Sequence, residues 1–385
     1  MSHHHRIAML THSTNPRGGV VHALMVAETL TSLGEEVIVH APDETGRGFF
    51  RPATCGTVSV PAISVHGGTH ALVEQRIADY LAHFEKAANR RFDVWHAHDG
   101  ISGNALATLK KRGLIDGYAM TVHHIDNFED DRLNVLQARA MREADSLFVV
   151  SRRWQDTLQQ KYGRDATIVG NGVDRRRFRP VTDGRENVLQ SDLGLGAGPI
   201  VLAVGGIERR KNTIRMLQAF AQFRKLYPAA QLVIAGGVSL LDHSRYQVAF
   251  HGVLAEAGLP PSAVIFAGAI PEDDMPALYR VADLLVFASI EEGFGLVVIE
   301  AMASGTPAVV SKIPPFTDYL GEYEAVWCDP LRSGSIADAM VMALTKPLRG
   351  RLIARGFDVA LRHDWMNTAK AHRPVYQSLK MVHHA

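Results

Sequence analysis

Short apolar runs recur along the whole chain. Twelve of them are nearly continuous rather than alternating: RIAMLTH, EVIVHAP, DVWHAHD, YAMTVHH, SLFVVS, TIVGNG, PIVLAVGG, QLVIAGG, AVIFAGA, LLVFAS, PAVVSK and AVWCDP. Such runs are typical of strands that are buried on both faces of a parallel sheet. The segments between them, such as VVHALMVAETLTSLG, carry apolar residues at helical spacing. The pattern predicts an α/β fold with doubly wound parallel sheets.

A stretch rich in glycine and proline, FRPVTDGRENVLQSDLGLGAGP, divides these runs into two sets of six. Its glycines and prolines interrupt regular structure, which predicts a domain boundary. We expect residues 1–180 and 181–362 to form two domains facing across a cleft, because polar and glycine-rich turns follow most of the strands. The last segment, residues 363–385, has the pattern of an amphipathic helix that returns to the first domain.

Composition narrows the class of protein. The 385 residues are 46% hydrophobic and 21% charged with a net charge of +1, which is typical of a soluble globular enzyme. The charge gives no support for nucleic-acid binding, which usually needs a basic excess. The two cysteines, Cys55 and Cys328, make no CxxC pair, and no apolar stretch approaches 18 residues. We therefore expect a cytoplasmic protein, and leave peripheral contact with a membrane open.

The segment EEGFGLVVIE places a carboxylate, Glu300, inside an apolar run at the expected start of a helix. An ionised carboxylate in such surroundings is costly without a partner or a ligand. If the helix begins near Gly295, Glu300 and Glu292 both face the strand ends at different depths. They could then accept hydrogen bonds from sugar hydroxyls and a ribose diol. The structural alternative is that Glu300 pairs with a neighbouring arginine or lysine.

The residues from Glu292 to Glu300 resemble the E-x7-E signature of retaining GT-B glycosyltransferases of family four. GGVVHALMVAETLTSLG, DVWHAHD, GNGVD, VGGIERRKN and FAGAIPEDDMPALYRVADLLVFAS resemble further segments of that family, so the similarity covers nearly the whole chain. The resemblance implies two Rossmann-like domains, the second binding a nucleotide diphosphate sugar and the first a hydroxyl acceptor. It assigns the sugar hydroxyls to Glu292 and the ribose to Glu300. Further donor contacts are implied at Gly293, Phe294, Gly295 and Leu296.

The segment VGGIERRKN places Arg209, Arg210 and Lys211 after a strand. A departing diphosphate needs positive charge at such a point, although exposed cations at a helix start explain the cluster equally well. The resemblance favours Lys211 and Arg210 as phosphate ligands. Many members have an arginine directly after the first glycine, where this chain has Gly206. Whether Arg209 or Arg210 supplies the missing charge is left open.

Two further pairs gain a role only through the resemblance. Gly18 and Gly19 follow the first strand, where their N–H groups would meet the diphosphate, although a plain tight turn is the default interpretation. Ile270 and Glu272 match the segment that packs against and hydrogen-bonds the nucleobase. By composition alone this segment is a turn at a strand end.

Histidines lie at the ends of two strands. We expect His96 and His98 to point to opposite faces of one strand, with His98 nearer its end. A lone strand histidine is usually a core residue. The resemblance instead makes His98 the residue that contacts the transferred sugar. His123 and His124 end the next strand and are either structural or on the acceptor side.

The chain has 19 histidines but no HExxH motif, no Cys/His spacing of a zinc site and no D-x-D triplet. We therefore expect neither a metal nor another cofactor.

Together these features predict a retaining, metal-independent hexosyltransferase. In the front-face mechanism that the resemblance implies, the leaving phosphate accepts the proton of the acceptor hydroxyl. The alternatives are an epimerase or hydrolase of nucleotide sugars on the same fold, a nicotinamide-dependent oxidoreductase, for which the G-x-G-x-x-G fingerprint is missing, and a nucleotide-sugar sensor without turnover. The donor nucleotide (UDP or GDP type), the hexose, the acceptor (sugar, lipid or small molecule), the linkage and the oligomeric state are left open.

Overall fold

The computed structural model describes residues 5–237 and 243–382. The chain divides into two compact units, Met1–Asn171 together with Trp365–Ala385, and Gly172–Asp364. The glycine- and proline-rich stretch that suggested a boundary at residue 180 lies inside the second unit. It contains a helix, α6, because RENVLQSD between its glycines is long enough for two turns.

The first unit is built on a seven-stranded sheet. Its strands are β1 (Arg6–Leu10), β2 (Glu36–Asp43), β3 (Gly56–Pro61), β4 (Val94–Ala97), β5 (Ala119–Val122), β6 (Ser146–Val149) and β7 (Thr167–Ile168). Their order is β3-β2-β1-β4-β5-β6-β7, and all neighbours are parallel. Helices α1 (Gly18–Ser32), α2 (Thr69–Glu85), α3 (Gly100–Lys111), α4 (Asp131–Glu143) and α5 (Arg152–Tyr162) connect them. The parallel order with helical crossovers is a doubly wound fold.

The second unit repeats this plan with six parallel strands. They are β8 (Ile200–Val204), β9 (Gln231–Ala235), β10 (Val264–Gly268), β11 (Leu284–Phe287), β12 (Ala308–Ser311) and β13 (Val326–Cys328), in the order β10-β9-β8-β11-β12-β13. The helices are α6 (Arg185–Asp192), α7 (Thr213–Phe223), α8 (Ser244–Glu256), α9 (Met275–Val281), α10 (Leu296–Ala303), α11 (Phe316–Tyr319), α12 (Ser333–Leu344) and α13 (Leu348–Arg362).

All twelve apolar runs form strands, as predicted. The strand that the apolar pattern does not predict is β3, at the edge of the first sheet. Of its six residues only Val60 is buried, because an edge strand contacts the core with few side chains. By contrast, the four residues Ile7–Leu10 of the more central β1 are fully buried, which is why that strand reads as a continuous apolar run.

The last element among the described residues is α14 (Trp365–Val382), which belongs to the first unit, as predicted. It packs against α1 and β4. The side chains that it buries among the described residues follow the spacing of one helix face: Trp365, Thr368, Ala369, His372, Tyr376 and Leu379.

Both sheets reverse their strand order near the middle, between β1 and β4 in the first unit and between β8 and β11 in the second. Parallel α/β sheets bind ligands beyond the carboxyl ends of the strands at such a switch point. Among the described residues, none of the helices has the length and apolar character that crossing a membrane requires.

Candidate functional site

The switch point of the second unit brings two segments together. Residues 205–212 follow β8, and residues 288–295 follow β11, the neighbouring strand. Asn212 joins them from a left-handed backbone conformation with φ of 60°. Its Nδ2 donates to the carbonyl oxygens of Ala288 at 2.9 Å and Pro330 at 2.6 Å. These two hydrogen bonds fix the cationic turn against the segment that carries Glu292.

Glycines give Lys211 its place in this turn. Gly205 has φ of 134°, and a Cβ atom there would lie 3.0 Å from Cε of Lys211. A Cβ atom on Gly236 would lie 2.4 Å from the carbonyl carbon of Gly205, closer than such atoms approach. The turn can pack this closely beside Lys211 only because Gly205 and Gly236 have no side chains.

One carboxylate oxygen lies at the centre of the site. Oε1 of Glu292 accepts hydrogen bonds from Lys211 Nζ at 2.6 Å, Arg210 Nη1 at 2.6 Å and Ser289 Oγ at 3.1 Å. Glu292 is only 6% exposed. The lysine ammonium also lies 4.4 Å from the centroid of the Phe287 ring, within range of a cation–π interaction. Two of the three predicted cations thus converge on one of the two predicted carboxylates.

Burial sets the electrostatics of this cluster. Desolvation lowers the pKa of Lys211, and the Glu292 carboxylate acts in the opposite direction. Arg210 also reaches a second carboxylate, since its Nη2 lies 3.6 Å from Oε2 of Glu208. Glu208 is a residue that the sequence analysis did not select, although it stands within the ERRK run. Each cation therefore has an acidic neighbour that an incoming anion would have to displace.

The structure distinguishes between the two arginines that could replace the one found in many family members at the position of Gly206. Arg210 shares the Glu292 carboxylate with Lys211, whereas the side chain of Arg209 is exposed. The geometry therefore puts Arg210, and not Arg209, beside the lysine.

The second predicted carboxylate, Glu300, is in the helix α10. That helix begins directly after Gly295, as predicted. Oε2 of Glu300 accepts a hydrogen bond from the Tyr279 hydroxyl at 2.7 Å, so its partner is a tyrosine rather than the arginine or lysine of the structural alternative. Burial raises the pKa of Glu300 to about 7. Tyr279 lies 21 residues away on α9, and no local pattern in the sequence connects the two.

The predicted nucleobase residues lie in the turn between β10 and α9. Glu272 is paired with Arg177, whose Nη1 lies 2.9 Å from the carboxylate and whose Nη2 donates to the backbone carbonyl of Glu272 at 2.8 Å. Ile270 is partly exposed in the same turn. The polar group predicted to meet the base therefore has an ion-pair partner within the protein.

The glycine-rich turn before α10 is shaped by aromatic packing. A Cβ atom on Gly295, where φ is 92°, would lie 2.6 Å from the Phe316 ring. The ring of Phe294 is stacked on Tyr319 with centroids 4.6 Å apart, so this side chain is part of the core. Gly293 and Leu296 flank Phe294 and Gly295 in the sequence and offer backbone groups at the helix start.

In the first unit, His98 follows β4 and is buried at the switch point. The prediction that His96 and His98 point to opposite faces is wrong. Residues two apart on a strand share a face, and the two ring centroids lie 4.2 Å apart. His96 is structural, because its two ring nitrogens are bonded to the hydroxyls of Tyr376 at 2.7 Å and Thr121 at 2.8 Å.

His98 belongs to a cluster of buried histidines. Its Nδ1 lies 3.3 Å from Nε2 of His123. His22, from α1, packs its ring against both, and its Nδ1 lies 2.7 Å from Oδ1 of Asn171. Ligand nitrogens of His22, His98 and His123 all lie within 4.8 Å of one another. His22 has no metal-site spacing to the other two in the sequence, because the three residues come from three different elements.

Gly18 and Gly19 are the first two residues of α1. Arg17 precedes them without a side-chain capping hydrogen bond to the helix. A Cβ atom on Gly19 would lie 3.2 Å from the His123 ring, so the glycine leaves room for that histidine. The start of α1 and the histidine cluster are therefore neighbours.

His124 is outside this cluster. Its Nε2 lies 3.2 Å from a carboxylate oxygen of Asp126, and its ring meets Trp154 edge to face at 4.9 Å between centroids. The two adjacent histidines predicted for the acceptor side thus have different surroundings.

Comparison with known proteins decides the family. The family model described as Glycosyltransferase Family 4 matches residues 16–177, and that described as Glycosyl transferases group 1 matches residues 189–370. The chain belongs to the family 4 glycosyltransferases. The predicted family and the predicted transferase class are thereby confirmed.

Curated relatives of this glycosyltransferase extend over nearly its whole length. It is 27% identical to the D-inositol 3-phosphate glycosyltransferase of Acidothermus cellulolyticus, over 97% of this chain and 90% of that protein. It is also 27% identical to the phosphatidyl-myo-inositol mannosyltransferase of Mycobacterium tuberculosis, over 97% of each chain.

Solved structures agree on the fold. Sucrose-phosphate synthase from Thermosynechococcus elongatus superposes with a TM-score of 0.81 at 21% identity, over 98% of this chain and 99% of that one. Anabaena HepE in complex with UDP-glucose gives a TM-score of 0.77 at 18% identity, over 97% and 100%. The two Rossmann-like parallel-sheet domains of the glycosyltransferase are those of the GT-B fold, as predicted.

The buried histidines predict loss of stability in acid. Burial lowers the pKa of His22 to about 4 and those of His40 and His372 to about 3. It also lowers the pKa values of His96, His98 and His123 well below 6.5. The unfolded chain therefore takes up protons first as the pH falls below about 6.5, and each histidine that stays neutral in the fold costs about 1.4 kcal/mol per pH unit.

Glu300 offsets the destabilising effect of about one of these histidines. Its raised pKa lets the folded state bind a proton below about pH 7, before the unfolded chain does, which stabilises the fold as the pH falls. We expect the free energy of unfolding, measured by urea titration, to fall steeply from pH 6.5 to pH 5. In His372→Gln the slope of this decrease should be smaller by about 1.4 kcal/mol per pH unit, because one fewer proton is taken up on unfolding. A stability that stays constant over this range would contradict the assignment of neutral buried histidines.

Proposed function

We propose that this glycosyltransferase transfers a hexosyl group from a nucleoside diphosphate sugar to a hydroxyl acceptor with retention of the anomeric configuration. The observation that carries the proposal is the convergence of Lys211 and Arg210 on Oε1 of Glu292, 2.6 Å away in each case, at the switch point of the second unit. Partly buried cations at that position suit a diphosphate leaving group.

The charged cluster supports an exchange of partners on donor binding. The diphosphate attracts Lys211 and Arg210 more strongly than one carboxylate does, because it offers more charge and several acceptor oxygens. As the cations turn to the phosphates, Oε1 of Glu292 becomes free to accept hydrogen bonds from hydroxyls of the transferred sugar. Donor binding and the positioning of the sugar are then one coupled event.

The chemistry follows from where charge develops. The bond between the anomeric carbon and the phosphate oxygen breaks, and Lys211 and Arg210 stabilise the negative charge that grows on the diphosphate. The acceptor oxygen forms the new bond on the same face, and its proton passes to the leaving phosphate oxygen. Retention follows without a protein nucleophile, and no metal is required, since the two side chains supply the positive charge.

Other donor contacts are proposed around this centre. Glu300 binds the ribose diol, held in place by Tyr279. The nucleobase lies against Ile270 and Glu272. Backbone groups of Gly293, Phe294, Gly295 and Leu296 approach the donor from the start of α10.

From the first unit we propose His98 as the residue that contacts the transferred sugar. Its burial beyond the carboxyl end of β4 supports that role. The N–H groups of Gly18 and Gly19 at the start of α1 are proposed to bind phosphate. His123 and His124 are proposed for the acceptor side.

The donor is proposed to be of the UDP or GDP type. UDP-glucose is bound by HepE, which supports a uridine nucleotide in the donor. The relatives named for inositol phosphate and phosphatidylinositol suggest a polyol hydroxyl as acceptor. We propose a cytoplasmic enzyme that reaches a membrane surface only if this acceptor is a lipid.

The Glu292 carboxylate provides the first test. A thermal-shift panel of UDP, GDP and ADP sugars, in EDTA, identifies the donor, because a ligand at 100 times its Kd stabilises by about 2.7 kcal/mol. With that donor, Glu292→Gln should lower kcat by about 10²–10³, the cost of removing one interaction with the reacting group. Glu291→Gln, the neighbouring isosteric change, is the control and should retain activity.

Product analysis belongs to the same experiment. Consumption of donor at the same rate without any acceptor would favour a hydrolase or epimerase. Wild-type turnover by Glu292→Gln would remove that carboxylate from the reaction.

Glu300 should act on binding rather than on chemistry. Because its hydrogen bond from Tyr279 places it at the proposed ribose, Glu300→Gln should raise the KM for the donor about tenfold and change kcat less. Tyr279→Phe, which removes only the hydroxyl, should show a weaker form of the same effect. A fall in kcat with an unchanged KM in steady-state kinetics would place Glu300 in the chemical step instead.

A further inference from the structure

Three histidines of the first unit form a cluster. The proposed transfer reaction uses two of them, His98 and His123, as substrate contacts and leaves His22 without a role. His22 comes from α1, His98 follows β4 and His123 follows β5. Each offers a ring nitrogen, and these atoms all lie within 4.8 Å of one another. His22 and His98 are buried, and His123 is partly exposed on the open side of the cluster.

Two of these rings have a buried nitrogen that makes no hydrogen bond. Nδ1 of His22 lies 2.7 Å from Oδ1 of Asn171, and an amide oxygen can only accept, so Nδ1 carries the proton. Nε2 of His22 is then an unprotonated acceptor, and it has no partner among the described residues. Nε2 of His98 is likewise buried without a partner. A buried polar atom without a partner is costly, and a bound cation would satisfy both.

We propose that His22, His98 and His123 form a binding site for a divalent transition metal ion of the zinc class. Imidazole nitrogens bind Zn²⁺ at about 2.0–2.1 Å, and three of them leave a fourth position open to water or another ligand. Tetrahedral coordination needs the donor atoms about 3.4 Å apart, so the rings close in by about 1.4 Å at most.

The surroundings of the cluster fit this role. The hydrogen bond from His22 Nδ1 to Asn171 is the outer contact that orients a ligating histidine. Gly19 leaves space beside the His123 ring, where a Cβ atom would lie only 3.2 Å away. Because His98 is also the proposed sugar contact, a bound metal should inhibit transfer; this consequence alone rests on the proposed function.

The test is a titration with Co²⁺, whose visible absorption reports tetrahedral coordination. It uses the full chain with His3, His4, His383 and His384 changed to alanine, so that histidines near the chain ends do not contribute. The proposal expects one Co²⁺ per chain, displaced by Zn²⁺. His123→Ala should abolish the signal, whereas His124→Ala, which removes the adjacent histidine outside the cluster, should leave it unchanged.

A second variant separates orientation from ligation. Asn171→Ala keeps all three histidines and should weaken binding by about 10–100-fold, as the loss of an outer partner does. Thermal melts with and without Zn²⁺ check each variant, and His123→Ala should fold but lose the rise in Tm that the metal causes. The proposal would be overturned if His123→Ala bound Co²⁺ as tightly as the parent chain, or if the parent chain did not bind one Co²⁺ ion per chain. Neither donor nor acceptor is present, so failure here leaves the proposed transfer reaction untouched.

Discussion

The candidate donor site depends on the sharing of one carboxylate oxygen between two cations. Glu292 is nearly removed from solvent, and burying its charge alone would cost several kcal/mol. Lys211 and Arg210 offset that cost, and Lys211 in turn depends on the carboxylate because burial lowers its pKa. The close approach at Gly205 and the two hydrogen bonds of Asn212 keep the segments after β8 and β11 in register for this contact. A site of this kind is neutralised internally until an anion competes for its cations.

The doubly wound topology explains why the chemistry gathers where it does. In each sheet the helical crossovers leave in opposite directions from two central neighbouring strands, so the turns beyond their carboxyl ends are not covered by a helix. The second unit has the charged cluster at this place. The first unit has the start of α1 and the buried histidines at the corresponding place. The same backbone plan therefore supports a cluster of charged side chains in one unit and a cluster of buried imidazoles in the other.

The sequence predicts the strands well because both faces of a parallel sheet are buried, which leaves a continuous apolar run. It does not predict β3, whose edge position requires only Val60 to be apolar. The sequence allows the charged turn of Arg210 and Lys211 and the carboxylates Glu292 and Glu300 to be selected as candidates. It does not predict which side chains contact one another. The hydrogen bond between Tyr279 and Glu300 and that between His22 and Asn171 join residues 21 and 149 positions apart, and only the fold brings them together.

The most direct test of the shared carboxylate is the Kd of the nucleoside diphosphate, measured by calorimetry for wild type and Glu292→Gln. If Glu292 competes with the diphosphate for Lys211 and Arg210, its neutralisation should tighten binding by about tenfold, or about 1.4 kcal/mol. An unchanged or weaker affinity would contradict the account, because the two cations would then not be the groups that hold the leaving diphosphate.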